Sequence, residues 1–232
     1  MPEFRIGWNA PTDERAGRIA AAALLALVAA SACGGSSEPS GTPPPSPAEA
    51  ARCVVQLHGK GGNGADPATK DGVTTLAPSG NAEGWGGRQW LYFPDAEYAA
   101  ARDVVSTAAA GCQEVIVGGF SNGAAFAAKL YCRGETFGGR LVGVVVDDPV
   151  VDHAVNGCTP DPSVGVTLYW TGALAAQAKP GWTCAEADWT CEGGTTIGID
   201  AYAAALGAPA QASPHHDHQP FVDAPELARW RP

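Results

Sequence analysis

The chain has 232 residues, 45% of them hydrophobic, and its 24 acidic against 14 basic side chains give a formal charge of -10. That length suits one domain with some excess, and the apolar share is enough for a real core. No Lys/Arg-rich block interrupts the acidic balance, which argues against a nucleic-acid partner because phosphate binding needs a concentrated positive surface.

In chain order, the first fifty residues stand apart in composition. Arg15 and Arg18 precede an apolar run from Ile19 to Ala30, too short for a comfortable bilayer crossing but suited to a signal-peptide core. Ala30-Ser31-Ala32-Cys33 follows and resembles a bacterial lipobox, which implies cleavage before Cys33 and lipid attachment there. The plain alternative is a buried Ala-rich helix. Residues 33–50 form a Gly/Ser/Pro tract with almost nothing apolar to bury, and they read as a disordered tether. The expected organisation is therefore a signal peptide over 1–32, a tether over 33–50 and one folded domain over 51–232, exported and held to the extracytoplasmic side of a membrane. With Cys33 set aside, six cysteines are left, an even number in a compartment where disulfides persist. Cys184 is expected to pair with Cys191, and the pairing of Cys53, Cys112, Cys132 and Cys158 is open. A metal site is disfavoured, because no Cys-x-x-Cys occurs.

Strands are predicted at Arg52–Leu57, Val73–Ala77 and Arg88–Phe93. A helix follows from about Ala96 to Ala110, where Tyr98, Ala101, Val104 or Val105, and Ala108 recur at helical spacing. Glu114–Gly118 reads as a buried central strand and Asn122–Tyr131 as a small-residue helix. Further strands are expected at Leu141–Val146, Val166–Trp170 and Ala210–Ala212, with helices at Gly198–Leu206 and Asp223–Trp230. Apolar strands alternating with helices imply a three-layer α/β sandwich around a mostly parallel sheet, with sites gathered beyond the C-terminal strand ends.

The polar signals fall at those ends. Gly119-Phe120-Ser121-Asn122-Gly123 is a Gly-x-Ser-x-Gly pentapeptide between a strand-like and a helix-like run, the setting a nucleophilic elbow requires. Gly119 and Gly123 would leave room in the cramped bend, exposing the Ser121 hydroxyl at a helix N-terminus. The competing role for Ser121 is a helix cap. His58-Gly59-Lys60-Gly61-Gly62-Asn63-Gly64 follows the first strand as a glycine-dense loop suited to an oxyanion. Its donor is expected to be the Lys60 backbone N–H, alongside that of Asn122. A phosphate-binding loop would need a Gly-Lys-Ser/Thr ending, which is missing. His58 precedes the elbow and reads as a residue that orders this loop.

Three of the five histidines lie at His215, His216 and His218, beyond the last expected strand, and one of them is expected to be the general base. His216 is preferred, then His218, then His215. A zinc or nickel site is the rival, but adjacent histidines do not easily face one ion. For the triad acid the choices are Asp147, Asp148 and Asp152 after one strand, or Glu186 and Asp188 in the cysteine-bounded loop. Thr171-Gly172 offers no carboxylate at the place where such folds most often supply one. Asp148, followed by Pro149, is preferred, with Asp147 its alternative.

Together the Ser121 pentapeptide, His58-Gly59 with its glycines and the late histidines resemble the α/β-hydrolase superfamily across Cys53 to Trp230. Without a cap insertion, the chain is similar to small secreted esterases, cutinase-like or of the polyhydroxyalkanoate-depolymerase and feruloyl-esterase group. The resemblance implies cleavage of carboxylic or thio esters through an acyl-enzyme, by a monomer, with no cofactor and a small or polymer-end ester as substrate. An acyltransferase or peptidase using the same residues, or a surface binding protein that has lost turnover, would share these features. Trp85, Trp90, Trp182 and Trp189 are candidates to line an apolar cleft, although Trp90 reads better as core.

Overall fold

Short β-branched runs form the centre of the molecule. In the computed structural model, which describes residues 52–172, 175–184, 191–212 and Trp230, the elements are β1 (Arg52–Leu57), β2 (Ala65–Lys70), β3 (Val73–Ala77), β4 (Ala82–Gly84), β5 (Gly87–Gln89), α1 (Asp95–Ala108), β6 (Glu114–Phe120), α2 (Asn122–Cys132), β7 (Leu141–Asp147), β8 (Gly165–Tyr169), α3 (Ile199–Leu206) and β9 (Ala210–Gln211). A seven-stranded sheet runs β2-β3-β1-β6-β7-β8-β9, parallel except where β2 pairs antiparallel with β3. The fold is a three-layer α/β sandwich of the α/β-hydrolase type, and no large cap is inserted among the described residues.

Strand alternation sorts the core onto the two faces of the sheet. Val55, Leu57, Val117, Val144, Val146 and Leu168 join the larger cluster, with Phe126 of α2 and Tyr202 of α3. Val54, Ile116, Val145 and Tyr169 form the smaller one under Trp230. Ten of the eleven residues of α2 are buried. Its alanines and glycine present no bulk, so the helix can lie close to β6 and β7. In α1, Tyr98, Ala101 and Val105 turn inward, while Asp95 and Glu97 in the first turn suit the positive end of the helix dipole.

Two stretches differ from the sequence reading. Ala65-Asp66-Pro67-Ala68-Thr69-Lys70 is a strand although it carries a proline and no apolar alternation; all six residues are exposed on the sheet edge, and the register shifts between Ala65 and Ala68, around Pro67. The expected strand Arg88–Phe93 ends at Gln89, inside the separate β4–β5 hairpin. Beyond it the Trp90 backbone is bonded to a side chain, with its N–H donating to Asn122 Oδ1 at 2.7 Å and its carbonyl accepting from Asn122 Nδ2 at 3.0 Å. Trp90 and Tyr92 are fully buried there, both stacked on Phe126.

Cys184 and Cys191 are bonded as expected, and the open pairings are Cys53–Cys112 and Cys132–Cys158. The loops they close, 59 and 26 residues in sequence separation, would contribute about 4 and about 3.5 kcal/mol by the chain-entropy relation.

Candidate active site

Phe120 is the last residue of β6 and α2 starts at Asn122, so a single residue makes the turn from strand to helix. Ser121 makes it with φ 51° and ψ -115°, a left-handed conformation that a side-chain-bearing residue seldom adopts. Its N–H donates to the Asp147 carbonyl at 3.0 Å and its own carbonyl accepts from Ala125 N–H at 3.0 Å, which holds both sides of the bend. The half-buried Ser121 side chain makes no capping hydrogen bond. The flanking glycines are demanded by space: a Cβ on Gly119 would lie 2.2 Å from the Gly123 carbonyl oxygen, and one on Gly123 would lie 2.4 Å from that of Leu57. Both obstacles are backbone, which cannot swing aside.

The loop after β1 lies against the elbow. A Cβ on Gly59 would stand 3.4 Å from Ser121 Cβ, so the glycine allows backbone to approach the hydroxyl. His58 orders this loop. Its Nδ1 is 2.8 Å from the Gly59 carbonyl and its Nε2 accepts the Gly80 N–H at 3.0 Å, a pair of bonds that selects the Nδ1–H tautomer. Burial pushes the His58 pKa down, with the nearby Arg88 charge adding to the effect and the Gly59 bond opposing it. The Lys60 ammonium stands 4.9 Å from the centre of the Trp85 ring.

Phe120 pairs with Asp147 across β6 and β7, so Ser121 and Asp148 leave the sheet from adjacent positions. Asp148, with φ 44°, is buried and turned toward the end of β8: Thr171 N–H donates to Oδ1 and the Thr171 hydroxyl to Oδ2, each at 2.6 Å. The absence of a carboxylate at Thr171-Gly172 thus has a counterpart, since Thr171 binds the one supplied from β7. Asp147 is buried within the ladder between Phe120 and Tyr169.

Asp152 lies apart from these. It is fully buried and accepts three hydrogen bonds, from the Tyr92 hydroxyl at 2.6 Å, from Glu192 N–H at 2.8 Å and from Ala154 N–H at 3.0 Å. Burial, only partly offset by these bonds, pushes its pKa up to about 6. Next to it the buried Lys129 ammonium pairs with Glu192 at 2.7 Å and lies over the Tyr92 and Tyr98 rings. His215, His216, His218, Glu186 and Asp188 lie outside the described residues, as does Cys33.

Sequence reasoning did not find the Asn122 amide bridge to Trp90, the Thr171 grip on Asp148 or the Asp152 cluster. Each joins residues 23 to 60 positions apart, and no local pattern carries such a contact.

The fold and the bend define a protein of the α/β-hydrolase architecture with a serine at the strand-to-helix elbow. No family model matches the chain, and no curated protein does. Among solved structures it is similar to a Bacillus cereus carboxylesterase at 18% identity, over 78% of this chain and 88% of that one, with a TM-score of 0.48. It is similar to a Mesorhizobium loti carboxylesterase at 19% identity, over 78% and 86%, with a TM-score of 0.45. A Zea mays acyl-protein thioesterase 2 matches at 18% identity, over 83% and 94%, with a TM-score of 0.43.

Proposed function

We propose that the protein is a serine hydrolase that cleaves carboxylic or thio esters through an acyl-enzyme. The observation that carries this reading is the Ser121 bend, whose strained backbone is held by two glycines in backbone contact while its hydroxyl is not spent on the helix end. Strain kept at one residue, with the surroundings built to enforce it, is a feature of functional sites.

In the proposed reaction Ser121 Oγ attacks the ester carbonyl and His216 takes its proton, His218 and His215 being the alternatives in that order. The Lys60 and Asn122 backbone N–H groups hold the developing oxyanion, and Asp148 orients the imidazole and stabilises its charged form. The imidazolium returns the proton to the departing alcohol or thiol; water, activated by the same base, then releases the acid and frees Ser121.

Chain length supports a base from the tail. β9 is parallel to β8 and three strands from β6, a span of roughly 14 Å. The five steps from Gln211 to His216 extend at most about 17 Å, and the imidazole adds to that reach. Export and lipid attachment through Cys33 belong to the same proposal. They are supported by the three disulfides, which suit an oxidising compartment.

A fluorophosphonate probe tests the reading directly. The intact, oxidised protein should take one equivalent of label and hydrolyse p-nitrophenyl acetate, and Ser121→Ala should do neither. A folded wild-type protein that takes no label and turns over no ester would instead be a binding protein on this scaffold, whereas label with transfer to an added amine or alcohol would mark an acyltransferase.

A further inference from the structure

The proposed oxyanion donors come from two separate stretches of chain. The ladder between β1 and β6 ends at the pair Leu57 and Gly119; beyond it His58-Gly59-Lys60 and Phe120-Ser121-Asn122 share no rung. Both donors have to lie within about 2.7–3.1 Å of one oxygen, so something other than the sheet must fix their spacing.

Trp90 spans that gap. It lies beyond β5, outside any strand or helix, and is fully buried. Its N–H donates to Asn122 Oδ1 at 2.7 Å, its carbonyl accepts from Asn122 Nδ2 at 3.0 Å, and its indole Nε1–H donates to the His58 carbonyl at 3.1 Å. All three bonds go to the two stretches on either side of Ser121. Asn122 suits its part, because an amide offers a donor and an acceptor side by side, as the two backbone groups of one residue require. The indole is also stacked on Phe126, one turn along α2 from Asn122, with ring centroids 5.2 Å and planes 22° apart.

A trans peptide is planar, so a fixed carbonyl fixes the N–H on its other side. The His58 carbonyl is caught between the indole Nε1–H and the Gly123 α-carbon, where a Cβ would lie 2.5 Å from the carbonyl oxygen. The next carbonyl, that of Gly59, faces His58 Nδ1 at 2.8 Å and accepts from Gly62 N–H at 3.0 Å, which sets the direction of the Lys60 N–H. At the other end Asn122 opens α2, where the first backbone N–H groups have no acceptor within the helix.

We infer that Trp90 is a positioning residue of the oxyanion site: its backbone, held by the Asn122 amide, and its indole N–H, bonded to the His58 carbonyl, lock the loop after β1 to the start of α2 and set the spacing of the two donors. The inference rests on the hydrolase reading. A phenylalanine would fill much of the same space without reaching His58, so packing alone does not account for the indole N–H.

The test asks whether breaking the link weakens the transition state rather than the fold. Trp90→Phe keeps a ring on Phe126 and the backbone bonds to Asn122 but lacks the indole N–H. Asn122→Ala removes the amide bridge and keeps the backbone N–H at position 122. The readouts are kcat and KM on p-nitrophenyl acetate and the affinity for phenylboronic acid, whose tetrahedral serine adduct puts an oxygen where the oxyanion would form. Each variant should lose at least tenfold in kcat and in boronate affinity, with KM within threefold, since acylation and deacylation both pass through an oxyanion and slow together. Val105→Ala, a cavity in the buried face of α1, should lower the melting temperature and leave kcat and boronate affinity within threefold. Full kcat and affinity in either variant, a loss confined to KM, or an equal loss in Val105→Ala reduces Trp90 to a core residue and leaves the hydrolase reading standing. If Trp90→Phe does not fold, Asn122→Ala decides alone. A wild-type protein that neither turns over the ester nor binds the boronate ends the hydrolase reading, and the positioning role with it.

Discussion

Two aspartates four residues apart show how differently one loop can use the same side chain. Asp148 stands at the sheet end next to the elbow, gripped by Thr171 just past the end of the neighbouring strand. Asp152 is enclosed by Tyr92 and two backbone N–H groups, beside the Lys129–Glu192 pair. The second is the more deeply buried, and burial raises its pKa to about 6, a displacement of the kind that commonly marks reactive groups. Position separates them: Asp152 is engaged in holding the segment that follows β7, and Asp148 stands beside Ser121 at the sheet end, the place that the proposed triad assigns to its acid. Perturbation marks burial, and it marks chemistry only where the reacting atoms are near.

The largest effect expected concerns the proposed nucleophile. Ser121→Ala should lower ester turnover at least about 10,000-fold with an unchanged circular dichroism spectrum, since the hydroxyl makes no structural bond at the helix end. The comparison itself is put at risk by two parallel substitutions. Asp148→Asn should cut kcat by roughly 100-fold to 10,000-fold, and Asp152→Asn should change it only a few-fold when both are assayed below their melting temperatures. The reverse order would transfer the role to Asp152.

Gly123→Ala should cost more than about 3 kcal/mol in denaturant unfolding, because its methyl would sit 2.4 Å from backbone and the elbow would have to open. The pH dependence of stability sharpens the contrast further. The Asp152 pKa rises from 3.8 in the unfolded chain to about 6, so the folded state binds the extra proton between those values. The resulting stability is fully present below about pH 4 and is lost as pH rises through 6, roughly 3 kcal/mol in all. Urea titrations from pH 3.5 to 7.5 should show this slope in the wild-type protein, and Asp152→Asn should remove it. The smallest effect expected is about 1–3 kcal/mol for Asn122→Ala, which leaves the buried Trp90 N–H and carbonyl without their partner; a melting curve would measure it.

What could be read in advance follows the range of the interactions. The strands at Arg52–Leu57 and Leu141–Asp147 announce themselves by short β-branched runs, and the elbow by a pentapeptide in which each glycine answers a clash with neighbouring backbone. The edge strand Ala65–Lys70 did not, because on an exposed edge the hydrogen-bond ladder forms without any apolar alternation. The segment after Gln89 reads as strand because its aromatic run looks β-like, while the amide of Asn122, 32 residues beyond Trp90, occupies its backbone.

The amino-acid order by itself determined the alternation of strands and helices and the serine turn, since these depend on residues within a few positions of one another, and the parallel sheet was legible only as a consequence of that alternation. The partners of four cysteines, the Thr171 grip on Asp148, the enclosure of Asp152 and the placing of Trp85 beside the serine loop were decided only by the tertiary structure. These are contacts between distant stretches of chain, set by how the layers pack, and no local spacing encodes them.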